Sequence, residues 1–402
     1  MRTKVVVIGH GYTSRLGLIR SLAEIDCDIT VIVMVFFNRF GRFVRFDWGK
    51  PIDCYSKYVD RFFYCRAGNP ENLIDLLISK CKDSNQKVIL IPDSDYSALA
   101  IDNYQDRLKN YFLFPHINHT TGSVSHWMQK TSQKQLAQEL NLNVTNGCVI
   151  TLKDGMFNIP DKVSYPCFTK PLMTVGGGKE YLRRCDNKEE LHALLASIKK
   201  NINVLVEDYK PIETEYAVVG FSDEQNVIIP GVIEFIKNSK SHFGIAREGK
   251  IMPIDGFEPL LEQFKLFVKR IGFCGLFDVD FFQSGEKLYF CEMNLRFGGS
   301  GYAYTWMGVN LPAMFVKTLI GESYSDLNQL VEKTSTYVNE RMCIDDWCDS
   351  YIDKREMLSI IDSGDIRFIF DKDDPKPGNA LKRYVFLQGI NRRVRLLINR
   401  IH

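Results

Sequence analysis

FDVDFFQSGEKLYFCEMNLRFGGSGY, residues 277–302, reads as two β-strands joined by a tight turn. Successive side chains of a strand point to opposite faces. Over 277–282, Asp278 and Asp280 share one face, and Phe277, Val279 and Phe281 share the other. The turn is Gln283-Ser284-Gly285-Glu286, with Gly285 free to take a positive φ. On the return strand, 287–297, Glu292, Asn294 and Arg296 form one row of carboxylate, amide and guanidinium. The row is either the solvated face of an amphipathic hairpin or a ligand row. As a ligand row, Asp280, Glu292 and Asn294 offer the oxygen donors Mg²⁺ prefers, and Arg296 forks onto a phosphate.

Composition narrows the classes around this hairpin. The 402 residues suffice for two or three domains, and 45% hydrophobic with 25% charged residues is ordinary for a globular chain. A net charge of +2 gives no basic field that calls for nucleic acid. The eleven cysteines form no Cys-x-x-Cys pair, which disfavours a zinc knuckle or a disulfide framework and fits a reducing cytoplasm. The N-terminal MRTKVVVIGHG reads as a strand ending in glycine rather than a signal peptide. The longest apolar run, 29–37, is far below the ~20 residues of a membrane span.

Upstream, an apolar run at 4–8, Gly9-His10-Gly11, a helical pattern over 14–24 and a second apolar run at 29–37 predict a Rossmann-like parallel sheet. The Gly-x-Gly lacks a third glycine, and Asn38-Arg39 follows the second strand where a dinucleotide site wants an acid. An NAD-dependent oxidoreductase is the weaker alternative that rests on it. The strand at 88–91 runs into Pro92-Asp93-Ser94-Asp95, where Asp93 or Asp95 faces a substrate or caps the next helix. Residues 115–122 read as a linker.

A helix over 123–140 carries Lys130 and Lys134. Lys170 ends a strand at 165–170, and Gly176, Gly177 and Gly178 lie in the hairpin that follows. This loop either turns freely or lets backbone amides approach phosphates; it is not a P-loop. A capping box at 186–189 starts the next helix. The strand at 203–206 ends on Glu207-Asp208-Tyr209, and Glu215 follows. The loop 237–250 carries Lys240, His242 and Arg247, as a solvated loop or a cationic wall. Residues 258–271 form an amphipathic helix. The basic end, 381–402, reads as a helix packed on its domain or lying on an anionic membrane.

The order of Lys130, Lys170, the glycine hairpin, Glu207, Glu215, Asp280 and Glu292-x-Asn294-x-Arg296 resembles the ATP-grasp superfamily. It is most similar to the carboxylate–amine ligase branch and to the ATP-binding halves of carbamoyl phosphate synthase. The resemblance covers roughly residues 1–321, with EMNLRFGG its most specific part. It implies an α/β fold: a Rossmann-like domain at 1–115, an ATP-grasp domain at 116–321 and a C-terminal region at 322–402. Within the ATP-grasp part, α+β in character, it implies a small subdomain at about 120–205 and a metal-binding subdomain at 206–321.

The resemblance also implies roles. Lys130 and Lys170 reach the nucleotide phosphates, and Gly176, Gly177 and Gly178 fold over them. Glu207, Asp208 and Tyr209 lie at the adenine and Glu215 at the ribose, although one extra residue separates the two glutamates. Asp280, Glu292 and Asn294 hold Mg²⁺ or Mn²⁺, Arg296 holds the transferred phosphate, and Arg247 contacts the substrate. The implied reaction consumes ATP, activates a small carboxylate as an acyl phosphate and joins it to an amine, releasing ADP. A non-catalytic ATP-binding sensor is the alternative on the same residues. A homodimer and a weak membrane-surface contact through the basic C-terminus complete the expectations. Thr305-Trp306-Met307 gives the pocket beyond Arg296 its own shape.

Overall fold

The computed structural model describes residues 2–35, 50–172, 181–242 and 244–398. In chain order the first elements are β1 (Lys4–Gly9), α1 (Tyr12–Ala23), β2 (Asp28–Val35), β3 (Arg61–Arg66) and α2 (Pro70–Leu76). Then come β4 (Val88–Pro92), α3 (Asp95–Asn103), α4 (Gln105–Leu108), β5 (Phe112–Leu113) and β6 (His116–Ile117). The middle holds α5 (Ser123–Trp127), α6 (Lys130–Glu139), β7 (Gly147–Leu152), β8 (Cys167–Pro171), β9 (Arg183–Cys185), α7 (Lys188–Ser197) and β10 (Ile202–Asp208). After these lie β11 (Thr214–Asp223), β12 (Val227–Ile228), β13 (Val232–Asn238), β14 (Ala246–Met252) and α8 (Glu258–Ile271). The hairpin β15 (Phe273–Ser284) and β16 (Lys287–Asn294) precedes α9 (Tyr302–Trp306) and α10 (Leu311–Leu319). The chain ends with β17 (Ser335–Val338), α11 (Glu340–Cys348), α12 (Lys354–Ser363), β18 (Ile366–Arg367) and α13 (Pro375–Ile398).

Contacts divide the chain into two compact units. One contains 1–124, 216–278 and 294–402; the other contains 125–215 and 279–293.

In the first unit a parallel sheet runs β3-β2-β1-β4-β5. Nearly every residue of β1, β2 and β4 is buried, as expected of parallel strands covered on both faces. The same unit holds the strand order β11-β13-β14-β17, antiparallel from β13 to β17, with β18 joining β17 in parallel. The C-terminal region is locked in by polar contacts. The Arg20 guanidinium donates to the Phe368 and Ile369 carbonyls at 2.8 and 3.0 Å and pairs with Asp374 at 3.3 Å. The buried Glu340 carboxylate accepts from the amides of Phe368, Ile369 and Phe370 at 2.9–3.0 Å. Those amides are lost to a β-ladder, so β18 is only Ile366–Arg367.

The second unit is built on an antiparallel sheet ordered β7-β10-β8-β9. Ile150, Cys167, Leu191, Leu195, Val204 and Val206 form part of its core. The Asn187 side chain caps α7 by accepting from the Glu190 amide at 2.9 Å, and Glu190 accepts in return from the Asp186 amide at 3.0 Å. The capping pair is therefore Asn187 and Glu190, one position beyond the expected box. The helix expected over 123–140 is interrupted, since Gln129 is extended and α6 begins at Lys130.

Along the closing hairpin, the turn is as read, with Gly285 at φ +60°. The strands differ at their ends: β15 starts at Phe273, and β16 stops at Asn294. Arg296 therefore lies beyond the strand, and the expected three-residue row reduces to Glu292 and Asn294.

Among the described residues no helix is long and apolar enough to cross a membrane. The helix α13 runs through the basic end as far as Ile398, with Lys382 and Arg383 exposed. All eleven cysteines are free thiols.

Candidate functional site

In the second unit, Glu207 sits near the end of β10 and is 2% exposed. Strand β8 lies antiparallel to it and presents Lys170, whose Nζ is 2.9 Å from Glu207 Oε2. Lys134 on α6 makes an ion pair with the other carboxylate oxygen and donates to the Thr145 carbonyl at 2.7 Å. Burial pushes the Glu207 carboxyl up, but the two ammonium groups outweigh it and hold it below the ordinary carboxylate value. The same burial lowers Lys134 despite the attraction of Glu207, whereas Lys170, desolvated but facing Glu207, ends above its ordinary value. Burial also pushes the nearby Cys291 thiol up to about 11.

The sequence treats Lys134 as an ordinary helix lysine; its partner is 73 residues away, a contact only the fold makes. Lys130, one turn earlier, is buried and forms an ion pair with Glu292. Between the two lysines, Gln133 was overlooked. Its Oε1 accepts from the Met293 amide at 2.8 Å, and its Nε2 donates to the Met293 carbonyl at 2.6 Å. That clamp fixes the backbone next to Glu292. The helical spacing of 130, 133 and 134 is the signal that would have found it. Asp208 accepts from the Asn146 side chain at 3.3 Å, and the Arg184 guanidinium stacks 4.5 Å over the Tyr209 ring. Glu215, near the start of β11, and Asp280, on β15, are both half-buried. Gly176, Gly177 and Gly178 lie outside the described residues.

The first unit holds Arg296 and Asn294. Arg296 Nε is 2.9 Å from Asp95 Oδ1, and its Nη1 is 3.1 Å from Asp278 Oδ2. Burial raises the Asp278 carboxyl in spite of that guanidinium. Asp95 opens α3 but does not cap it; Ser94 does, accepting from the Ser97 amide at 3.3 Å. Asp93 does not cap that helix either. Its Oδ2 accepts from Ser14 Oγ at 3.2 Å, while its buried Oδ1 has no hydrogen-bond partner among the described residues. Burial pushes this carboxyl up to about 7, against the pull of Arg15 and with the help of Asp53. Arg15 and Asp53 form a wholly buried bidentate pair, with N–O distances of 2.8 and 3.2 Å. Gly9 is explained by this cluster without a dinucleotide: a Cβ there would lie 1.2 Å from Asp93 Oδ1.

Arg247 is also in this unit. Its guanidinium is spent on Glu248 at 2.8 Å and Asp346 at 3.1 Å. The neighbouring His242 Nε2 lies 2.9 Å from Asp345 Oδ2. In the segment read as a solvated loop or a cationic wall, Arg247 and His242 are thus paired with carboxylates, Glu248 of β14 and Asp345 and Asp346 of α11.

Residues 135–312 match the model of the ATP-grasp domain family. Among curated proteins, the carbamoyl phosphate synthase large chain of Gemmatimonas aurantiaca is 22% identical over 214 residues. The alignment takes in 52% of this chain and 20% of that protein, so the chain spans about a fifth of its relative's length. Among solved structures, N5-carboxyaminoimidazole synthetase from Staphylococcus aureus, complexed with ADP, superposes with a TM-score of 0.60 at 15% identity, covering 84% of this chain and 83% of that one. The biotin carboxylase domain of Hydrogenobacter thermophilus 2-oxoglutarate carboxylase, with MgADP and bicarbonate, gives 0.60 at 17%, covering 84% and 74%. L-amino acid ligase from Bacillus licheniformis gives 0.59 at 16%, covering 84% and 79%. At these identities the likeness is one of fold.

Proposed function

We propose that the chain is an ATP- and Mg²⁺-dependent ligase that joins a small-molecule carboxylate to an amine and releases ADP. The observation that carries this reading is Glu207 held between Lys170, which with Glu207 lies in the segment that matches the ATP-grasp family, and Lys134, one residue before that segment. A buried carboxylate bracketed by two ammonium groups keeps cationic side chains desolvated and ready for a polyphosphate, where fixed charges act most strongly. The ADP and MgADP held by the relatives of like fold support the same assignment.

In the proposed reaction a substrate carboxylate oxygen bonds to the γ-phosphorus of ATP, the bond to the β,γ-bridging oxygen breaks, and ADP leaves. The amine nitrogen then bonds to the acyl carbon, the carbon–oxygen bond to phosphate breaks, inorganic phosphate leaves, and the ammonium proton passes to solvent. Such transfers are accelerated by positioning and charge stabilisation and need no protein nucleophile. Lys130 and Lys170 hold the phosphates. Glu207, Asp208 and Tyr209 line the adenine, and Glu215 the ribose. Arg296 holds the phosphoryl group in transfer. Arg247, when it exchanges a carboxylate partner, holds a substrate anion.

Asp280, Glu292 and Asn294 are an all-oxygen donor set that suits Mg²⁺, and the Lys130 ammonium balances the Glu292 charge meanwhile. When bound, Mg²⁺ supplies charge neutralisation on the phosphate oxygens. The free thiols support a reducing, cytoplasmic setting.

The test is hydroxylamine trapping with ATP, Mg²⁺ and a carboxylate library. A hydroxamate that forms with ADP release supports the ligase. ATP bound with no hydroxamate and no phosphate release across the library favours a sensor.

A further inference from the structure

Away from the nucleotide residues, the first unit gathers two imidazoles and a carboxylate. His116 lies on β6, opposite Cys274 in the antiparallel pairing with β15. The chain then turns through Asn118 and His119, both with positive φ (+48° and +52°). Glu224 stands in the turn between β11 and β12, also at positive φ, +75°. Three non-glycine residues in the left-handed region around one cluster carry a conformational cost that a plain surface turn avoids by using glycine. The Asp223 side chain fixes the Glu224 turn, accepting from the amides of Gln225 and Asn226 at 3.0 and 2.6 Å.

One ligand atom from each of His116, His119 and Glu224 lies within 4.8 Å of the other two, and His116 Nδ1 is 3.7 Å from Glu224 Oε1. The His116 and His119 rings stack with centroids 3.5 Å apart. Donors on a tetrahedral Zn²⁺ sit about 3.3 Å apart. Reaching that spacing requires the exposed His119 and Glu224 side chains to rotate and His119 to leave the stack. The His119 amide donates to His116 Nδ1 at 3.4 Å, which sets that nitrogen as the unprotonated, acceptor side of the buried ring.

We propose that His116, His119 and Glu224 form a binding site for a divalent transition metal of the Zn²⁺ class. Two imidazoles and one carboxylate select such ions over Mg²⁺ and Ca²⁺, which require mostly oxygen donors. The fourth position falls to water or to the thiol of Cys274, the residue paired with His116 across β6 and β15. Such an ion ties the segment after the parallel sheet, read from sequence as a bare linker, to the β11–β12 turn. The site is independent of the ligase reading.

The experiment is isothermal titration of the chelator-treated full chain with ZnCl₂, with CoCl₂ absorption as a second readout. The wild type is expected to bind one equivalent saturably in the micromolar range or tighter, with Co²⁺ d–d bands of a four- or five-coordinate site. His119→Ala and Glu224→Gln change exposed side chains and are expected to weaken binding at least tenfold and to remove those bands. The variants also separate this site from adventitious binding by the free cysteines. Absence of a saturable equivalent, or unchanged affinity in the double variant, overturns the proposal.

Discussion

Lys170 and Glu207 meet across the β8–β10 pair, Nζ to Oε2 at 2.9 Å, and Lys134 closes the other side of the same buried carboxylate. Removing one partner of a buried pair leaves a charge without compensation, which costs about 3–5 kcal/mol when burial is complete and less here, where Lys170 keeps some exposure. Lys170→Met is expected to lower the unfolding midpoint and to weaken ATP binding at least tenfold by titration calorimetry. Glu207 has a lowered folded-state pKa, so the stability it contributes is present above the ordinary carboxylate value and lost as pH falls through the lowered one. The stability gap between wild type and Glu207→Gln should therefore narrow in acid.

Glu292→Gln keeps volume and removes a proposed metal ligand. Turnover should fall by at least a hundredfold, with the circular dichroism spectrum unchanged and the Mg²⁺ dependence displaced to higher concentration. Wild-type turnover in this variant would remove Glu292 from the metal set.

Arg296 divides its guanidinium between Asp95 and Asp278. Lysine offers charge without the fork. Arg296→Lys should lower kcat by about a hundredfold, roughly the cost of one lost oxyanion contact, with ATP affinity nearly unchanged. An equal loss in affinity and in kcat would mean that Arg296 serves ground-state binding instead.

Asp93 predicts a pH dependence of the opposite sign from Glu207. Its folded-state pKa is raised to about 7, with burial the main cause and Arg15, Asp53, Ser14 and Arg296 the groups that face it. Between the ordinary carboxylate value and 7 the folded state binds the extra proton, so stability declines as pH rises through that window. Asp93→Asn should flatten the decline, seen as unfolding midpoints measured from pH 5 to 8. Gly9→Ala should destabilise by about 1–3 kcal/mol through overpacking, and Gly9→Ala with Asp93→Ala should recover part of it.

Arg15 and Asp53 are buried together. Asp53→Ala is expected to cost about 3–5 kcal/mol, and Arg15→Met with Asp53→Ala less than the sum of the singles, read from urea denaturation.

Periodicity made much of the fold legible. The apolar runs of β1, β2 and β4 gave the parallel sheet, the amphipathic stripe gave α8 over Glu258–Ile271, and alternation gave the hairpin around Gly285. The ends of elements were not legible where a distant group takes over backbone hydrogen bonding, as Glu340 does at Phe368–Phe370. In the candidate site, the residue types and their order were readable, while Gln133 and the buried role of Lys134 were not, since both depend on what α6 packs against.

The sequence by itself determined where the strands β1, β2 and β4, the helix α8 and the closing hairpin lie, because those follow from the local geometry of a twofold or 3.6-residue repeat or from continuous apolar runs. Only the tertiary structure decided which charges are buried and with whom. Arg296 finds Asp95 across 201 residues, and Lys130 finds Glu292 across 162. Desolvation and Coulomb attraction depend on distance in space rather than along the chain. The hairpin could be read from its own residues, but the partners of its charged side chains could not.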